Sequence, residues 1–369
     1  MSPVQGGTEL SVATWNVCLG VDFEPILGAG RQHSLKEAAR LVLDGVRATR
    51  FPDRAEAIAR IVARHRPDVL ALQELGKWET GGTGEGRLLY SYPEIMQVAL
   101  ARAGAPYVQV TCVETVAGPL PVDGRTWANF TSCDALFVRQ DVDVNLSVVE
   151  VDHGHYDSAL TVELAGGGRM PIRRGWSSLD LERGGRKVRV VVTHLDSMDP
   201  SVRRDQMHEL VAMACRSREP VVILGDLNTP AAPITGPSRL TASSKDGVLE
   251  ILAGAGFADA WVRCREHRRE AARVSPQQTG AVTTGSPTSS AAPGCTWGPA
   301  PGLLASKRRD RALTQRLDYV FYDPAGLEAR DATVIGGGPE DVTRTVPALL
   351  PSDHAGVLVH LRLRADGRG

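Results

Sequence analysis

The sequence predicts a mixed α/β or α+β fold, and three observations carry that reading. Short β-branched runs alternate with stretches of helical periodicity along most of the chain. Two runs, Val188–His194 (VRVVVTH) and Val221–Leu224 (VVIL), are too continuously apolar for half-exposed strands, so they belong inside a sheet. Helical and strand segments are interleaved, which excludes separate all-α and all-β domains. No internal repeat is visible.

Taken in order, Leu10–Asn16 opens as a strand. Asp53–Arg66 carries Ile58, Ile61 and Val62 at helical spacing, with Asp53 placed as an N-cap and Pro67 as the stop. Asp68–Gln73 (DVLALQ) reads as a short, fully buried strand. Pro93–Ala103 is a second helix, ended by Gly104. Strands are expected at Tyr107–Glu114, Ala135–Arg139 and Asn145–Val151, then at the two apolar runs, with a helix over Ser201–Cys215 between them. Tyr319–Tyr322 and Gly356–Leu363 are late strands. The whole chain, 1–369, reads as one domain with two interruptions. Val21–Arg50 is an insert after the first strand. Val274–Ser306 has no charged residue and is rich in Ser, Thr, Pro, Gly and Ala, a composition that cannot bury a core, so a mobile loop is expected.

Composition narrows the function. The 369 residues are 42% hydrophobic and 23% charged, enough apolar material for a large core and against global disorder. The net charge of −1 is not that of a polybasic nucleic-acid binder. Residues 263–316 are locally basic, with ten Lys and Arg against three acidic residues, and suit a solvated loop base or a rim that attracts phosphate. No run of 18 apolar residues exists, so no transmembrane helix is expected, and MSPVQGGTEL lacks the features of a signal peptide. The six cysteines contain no C-x-x-C and are read as reduced, mostly buried thiols of a cytoplasmic protein.

Polar residues recur at the ends of apolar strands. Asn16 follows VATW, Glu74 follows VLALQ, and His194 follows VRVVVT. Asp226 and Asn228 follow VVILG, Asp318 opens DYVFY, and Asp353 and His354 precede GVLVHLRL. One strand-end Asp or Asn is usually a turn residue. A set made only of carboxylates, amides and imidazoles at strand ends is better read as a ligand site. Hard oxygen donors suit Mg²⁺ or Mn²⁺, and an Asp–His pair suits proton transfer or a grip on phosphate. The other histidines fit no motif: His65 ends a helix, His153 and His155 read as an HGH turn, and His360 alternates with apolar strand residues. The Gly81–Gly86 cluster lacks the Lys-Ser/Thr of a phosphate-binding loop.

The elements TWN (14–16), LQE (72–74), THLDS (193–197), GDLN (225–228), RLDY (316–319) and SDH (352–354) appear in the order of the endonuclease/exonuclease/phosphatase superfamily, which the chain resembles over residues 12 to 363. This resemblance implies a DNase I-like four-layer α/β/β/α sandwich of two packed mixed sheets, with the site at one end of the sheets. It also implies roles. Glu74 resembles the principal metal-binding glutamate, Asn16 the asparagine of the metal and phosphate network, and Asp353 a second metal-side carboxylate. Asp226 resembles the aspartate that orients or deprotonates the attacking water, and Asn228 the amide that holds a phosphate oxygen. Asp318 resembles the partner of the terminal histidine, His354. His194 stands where related nucleases and sphingomyelinases carry a histidine for the leaving group, with an orienting role as the alternative. Arg174, in RRGW (173–176), resembles a phosphate-contacting arginine, with Arg173 as the alternative. Trp297, in CTWGP, either lines the substrate mouth or packs against the loop base.

Two positions depart from that pattern. Cys18 stands where some members carry an additional aspartate. The glutamate that supports the nuclease histidine is not evident near Asn129–Cys133, and Asp134 is the nearby substitute. The expected activity is metal-dependent phosphoester hydrolysis by direct attack of water, with Mg²⁺ or Mn²⁺ as cofactor. The expected substrate is a small-molecule or nucleotide phosphoester first, a nucleic acid second and a phospholipid third, with diester cleavage favoured over monoester cleavage by the presence of His194. A non-catalytic binding module of the same fold is the rival reading.

Overall fold

Two mixed sheets face each other across an apolar core in the computed structural model of the chain. It describes residues 8–364 apart from 22, 24, 28–32, 82–85, 124, 141–145, 165–167, 233–242, 275–293 and 306–312. The first sheet contains β1 (Glu9–Asn16), β2 (Val69–Gly81), β3 (Arg87–Ser91), β4 (Tyr107–Gln109), β5 (Val113–Pro121), β6 (Trp127–Arg139), β15 (Leu327–Ile335) and β16 (Gly356–Leu363). Its order is β15-β16-β1-β2-β6-β4, with β3 paired to β2 and β5 to β6. The second runs β13 (Ala258–Asp259), β14 (Asp318–Tyr322), β12 (Val221–Asp226), β11 (Arg186–His194), β10 (Gly175–Arg183), β7 (Ser147–His155). A small hairpin pairs β8 (Leu160–Glu163) with β9 (Arg169–Ile172).

Alternation within single strands builds the layers. On β1, Val12 enters the core between the sheets while Ala13 and Trp15 enter the core under the helices. On β2, Val69 and Ala71 face inward, and Leu70 and Leu72 face the helices. α1 (Leu35–Ala48), α2 (Phe51–His65) and α3 (Tyr92–Arg102) cover the first sheet through Val42, Ile58 and Met96. α4 (Pro200–Ala214) and α5 (Val248–Gly254) cover the second through Met207, Leu210 and Leu249. α6 (Ala260–Val274) closes the inter-sheet core with Ala260 and Cys264. The order of layers is thus helix, sheet, sheet, helix. Among the described residues no helix is long and apolar enough to cross a membrane.

Several expectations are corrected. The insert 21–50 contains α1, capped by a reciprocal pair: Ser34 Oγ accepts from Glu37 N and the Glu37 carboxylate accepts from Ser34 N. Asp53 is not an N-cap. It lies in the first turn of α2, whose N-cap is Arg50. The HGH stretch is not a turn but the end of β7. Most of the expected mobile loop, 275–293, lies outside the described residues, as do 82–85 of the glycine cluster and Lys307–Arg311 of the basic flank. The reduced-thiol reading fails for one pair, because Cys112 and Cys133 form a disulfide. Pairing of β5 with β6 brings the segment before β5 back onto Cys133, a proximity that sequence spacing alone does not reveal. The thiol argument for a cytoplasmic location falls with it. Cys215 is exposed, Cys18 and Cys295 are half-buried, and Cys264 alone of the free thiols is fully buried.

Candidate active site

The proposed residues converge at one end of the two sheets, and the backbone bends to bring them there. β2 does not stop at Gln73. It continues to Gly81, with a bulge between Leu72 and Leu75 in its pairing with β6. The bulge throws Glu74 out of the ladder at φ +61°, a left-handed conformation costly for a residue with a Cβ. Cys18 at φ +58° and Asn228 at φ +49° share this conformation around the same cleft. Three of the six non-glycine residues at positive φ among the described residues thus surround this cleft. Gly225 is required where it stands: a Cβ there would lie 1.8 Å from Thr193 O.

Asn16, buried at the end of β1, links the two sheets. Its Nδ2 donates to Glu74 Oε1 at 2.9 Å and to Asp226 Oδ2 at 3.0 Å, while its Oδ1 accepts from Cys18 N at 2.9 Å. The other Glu74 oxygen accepts from Leu19 N. Asp226 Oδ1 accepts from Asn228 N, and Asn228 Nδ2 donates to Leu195 O at 3.0 Å. The last motif is tied to the first: Ser352 Oγ donates to Asn16 O, and Trp15 Nε1 donates to His354 O.

Two buried histidines flank Asp226. His354 Nε2 lies 3.7 Å and His194 Nε2 3.6 Å from Asp226 Oδ2. Burial alone would lower the pKa of His354, but Asp318, whose Oδ2 is 2.8 Å from Nδ1, together with Asp226 and Asp353 raises it well above the ordinary value. His194 goes the other way. Burial first, and then the Arg174 guanidinium, lower its pKa to about 4. Arg174 Nη1 donates to His194 Nδ1 at 3.0 Å, because a guanidinium has no acceptor. The neutral imidazole therefore carries its proton on Nε2. Asp134 lies behind this pair, with Oδ1 3.7 Å from His194 Nδ1 and 3.3 Å from Glu74 N. Complete burial pushes its carboxyl up to about 7, and its Oδ2 has no hydrogen-bond partner among the described residues.

An open cleft exposes this set. Glu74, Arg174, His194, Asp226, Asn228, Asp353 and His354 line it. Asn16 and Asp318 stand just beneath, both 1% exposed. Ligand atoms of Asp226, Asp318 and His354 lie within 4.8 Å of one another, the one such group of three potential metal ligands among the described residues. Of the two adjacent arginines, Arg174, buried ahead of β10, lines the cleft, and Arg173 is exposed. Trp297 also lines the cleft and donates from Nε1 to Asp353 Oδ2 at 3.3 Å.

Sequence reasoning passed over several wall residues. Ser197, Arg203, Pro230, Gln315 and Leu317 share the cleft. Thr296, which is fully buried, receives the backbone N–H of Leu317 and Asp318 on its hydroxyl and so fixes Asp318. Ser197 and Arg203 follow His194 within nine positions, so their sequence neighbourhood was the available signal.

Residues 13–354 match the model of the endonuclease/exonuclease/phosphatase family. No curated protein matches in sequence. An endonuclease/exonuclease/phosphatase family protein from Bacteroides thetaiotaomicron superposes with a TM-score of 0.56 at 16% identity, over 96% of this chain and 98% of that one. The mannosyl-6-phosphatase of the same species gives 0.54 at 17% identity, over 95% and 99%. Humanized D. rerio TDP2 gives 0.50 at 16% identity, over 96% and 100%. At these identities the likeness is one of fold.

Proposed function

The chain belongs to the endonuclease/exonuclease/phosphatase family, and we propose that it is a divalent-metal-dependent phosphoesterase, preferring a phosphodiester, that cleaves by direct attack of water. The observation that carries this reading is the pair of buried histidines in opposite charge states on either side of Asp226. One domain, with all these residues at its sheet ends, performs the reaction.

The residues fit a hard divalent cation, Mg²⁺ or Mn²⁺. Carboxylate oxygens crowd the cleft, and Asp318 Oδ1 is buried with no hydrogen-bond partner among the described residues. Glu74 and Asp353 would hold the ion, with Asn16 bracing Glu74 and Asp226. Bound there, it would neutralise charge on the phosphate oxygens.

Asp226 orients the attacking water and accepts its proton. Asn228 spends one amide hydrogen on Leu195 O and offers the other to a phosphate oxygen. Arg174 holds His194 neutral through Nη1 and has Nη2 left for phosphate. His194 then acts as a neutral donor from Nε2. His354, held cationic by Asp318, is the better source of the proton for the leaving oxygen. This reassigns the leaving-group role expected of His194 from sequence.

The substrate favoured is a small phosphoester or nucleotide. Purified protein should hydrolyse bis-p-nitrophenyl phosphate faster than p-nitrophenyl phosphate with Mg²⁺ or Mn²⁺, and lose turnover in EDTA. His354→Ala should lower the rate by about 10²-fold or more. Activity indifferent to EDTA and to His354→Ala would sink the proposal.

A further inference from the structure

Beside the reaction centre, the cleft wall carries an arginine that the chemistry above does not use. Arg203, on the first turn of α4, is 6% exposed and lines the cleft with Ser197 and Asn228. Two of its nitrogens have structural duties. Nε donates to Asp246 Oδ2 at 2.9 Å, and Nη1 donates to the carbonyl of Asp196. Asp246 is itself fixed, accepting from Thr229 Oγ1 and Val248 N. The guanidinium plane is therefore set before any ligand arrives. Its third nitrogen, Nη2, bonds to none of the described residues, and the arginine lines the cleft. The hydroxyl of Ser197, on an exposed residue of the same wall, is likewise unengaged among the described residues.

Its place relative to the phosphate is fixed by backbone. Asn228 Nδ2 bonds Leu195 O, and the next carbonyl, Asp196 O, is the one Arg203 holds. The arginine thus flanks the amide assigned to the scissile phosphate, one residue further along the wall. Guanidinium groups held rigidly in a partly dry site recognise phosphoryl and carboxylate groups.

We propose that Arg203 Nη2, with Ser197 Oγ, forms a subsite for a second phosphoryl group of the substrate, borne beside the phosphoester that is cleaved. This rests on the phosphoesterase reading and narrows its substrate class to phosphoesters with two phosphoryl groups. The second group is either a terminal phosphate of a small molecule or the next phosphodiester of a strand.

Three chromogenic esters separate these sources: thymidine 5′-(p-nitrophenyl phosphate), the same ester with a 3′-phosphate, and the same ester with a 3′-linked nucleotide. A gain in kcat/KM of about 10-fold or more is expected from the added group. A gain with the 3′-phosphate alone assigns a small bisphosphate, and a gain that needs the 3′-linked nucleotide assigns a strand. In Arg203→Met the ratio between the extended and the simple ester should fall towards one, and Arg203→Lys should keep part of it. No gain in the native protein overturns the proposal, whether or not the variant folds. An unchanged ratio in folded Arg203→Met overturns it as well. If the native protein cleaves none of the three, the phosphoesterase reading fails on its own. Calorimetric binding of thymidine 3′,5′-bisphosphate against thymidine 5′-monophosphate then decides the subsite: a preference lost in Arg203→Met supports it, and equal affinity refutes it.

Discussion

His354 and His194 are nearly equal in burial and in distance to Asp226 Oδ2, yet they sit in opposite protonation states. One has a carboxylate behind its Nδ1, the other a guanidinium. Burial disfavours charge on both; at His354 the neighbouring carboxylates overcome it, and at His194 the guanidinium adds to it. A site can therefore hold a proton donor and a neutral hydrogen-bonding imidazole side by side through the charges placed around two nearly equally buried rings.

The contrast breaks most completely at the carboxylate the two rings share. Asp226→Asn should reduce kcat about 10³-fold or more in a steady-state diesterase assay, with far-UV circular dichroism unchanged. Next come the rings themselves. His354→Asn should cost about 10²- to 10⁴-fold in kcat, and His194→Asn distinctly less. Equal losses would show that charge state does not divide their labour. Arg174→Gln removes the cation behind His194, so the imidazole pKa should move from about 4 towards the ordinary 6.5 in an NMR titration, with a rise in KM from the lost phosphate contact.

The smallest effect is on stability. The His194 pKa is depressed in the fold, so its contribution is present above pH 6.5 and lost as pH falls through about 4. The Asp134 pKa is raised, so its contribution is present below 3.8 and lost as pH rises through about 7. In the native protein the two slopes oppose each other between pH 4 and 6.5. Urea midpoints should separate them: Asp134→Asn should lose stability towards acid over that range, and His194→Asn towards neutral pH. Parallel curves would mean that the pair does not titrate as described.

Much of this was legible in the sequence where one strong pattern acted alone. VRVVVTH and VVIL are buried on both faces, and continuous apolarity has no rival explanation there. The motif residues at their ends followed. β10 (GWSSLDLER) escaped notice because its buried Ser177, Ser178 and Asp180 mask the alternation. Ser177 is satisfied by Thr111 and Asp180 by Arg189, partners that only the tertiary fold supplies. α6 looked like a basic loop flank, since its charges outnumber its core contacts. α1 is different. Its Ser34-x-x-Glu37 box and its apolar spacing at Ala39, Val42, Leu43 and Val46 were present in the sequence and were passed over as an insert. At the site, residue types were readable and charge states were not, because these depend on which ring faces which partner.

The strand that opens the first sheet is paired on one side with the strand that closes the chain. Trp15 holds the carbonyl of His354, 339 positions away, and the wholly buried Arg54 donates to the carbonyls of both Val17 and Pro351. During synthesis, then, Asn16 and Glu74 leave the ribosome long before the residues that complete their surroundings. Until β16 docks, one edge of β1 has no partner, and unpaired edges invite aggregation. A nascent or truncated chain lacking the last strand thus carries the risk of an open sheet while the surroundings of Asn16 are still incomplete. The docking that completes the surroundings of Asn16 is the same one that seals the edge.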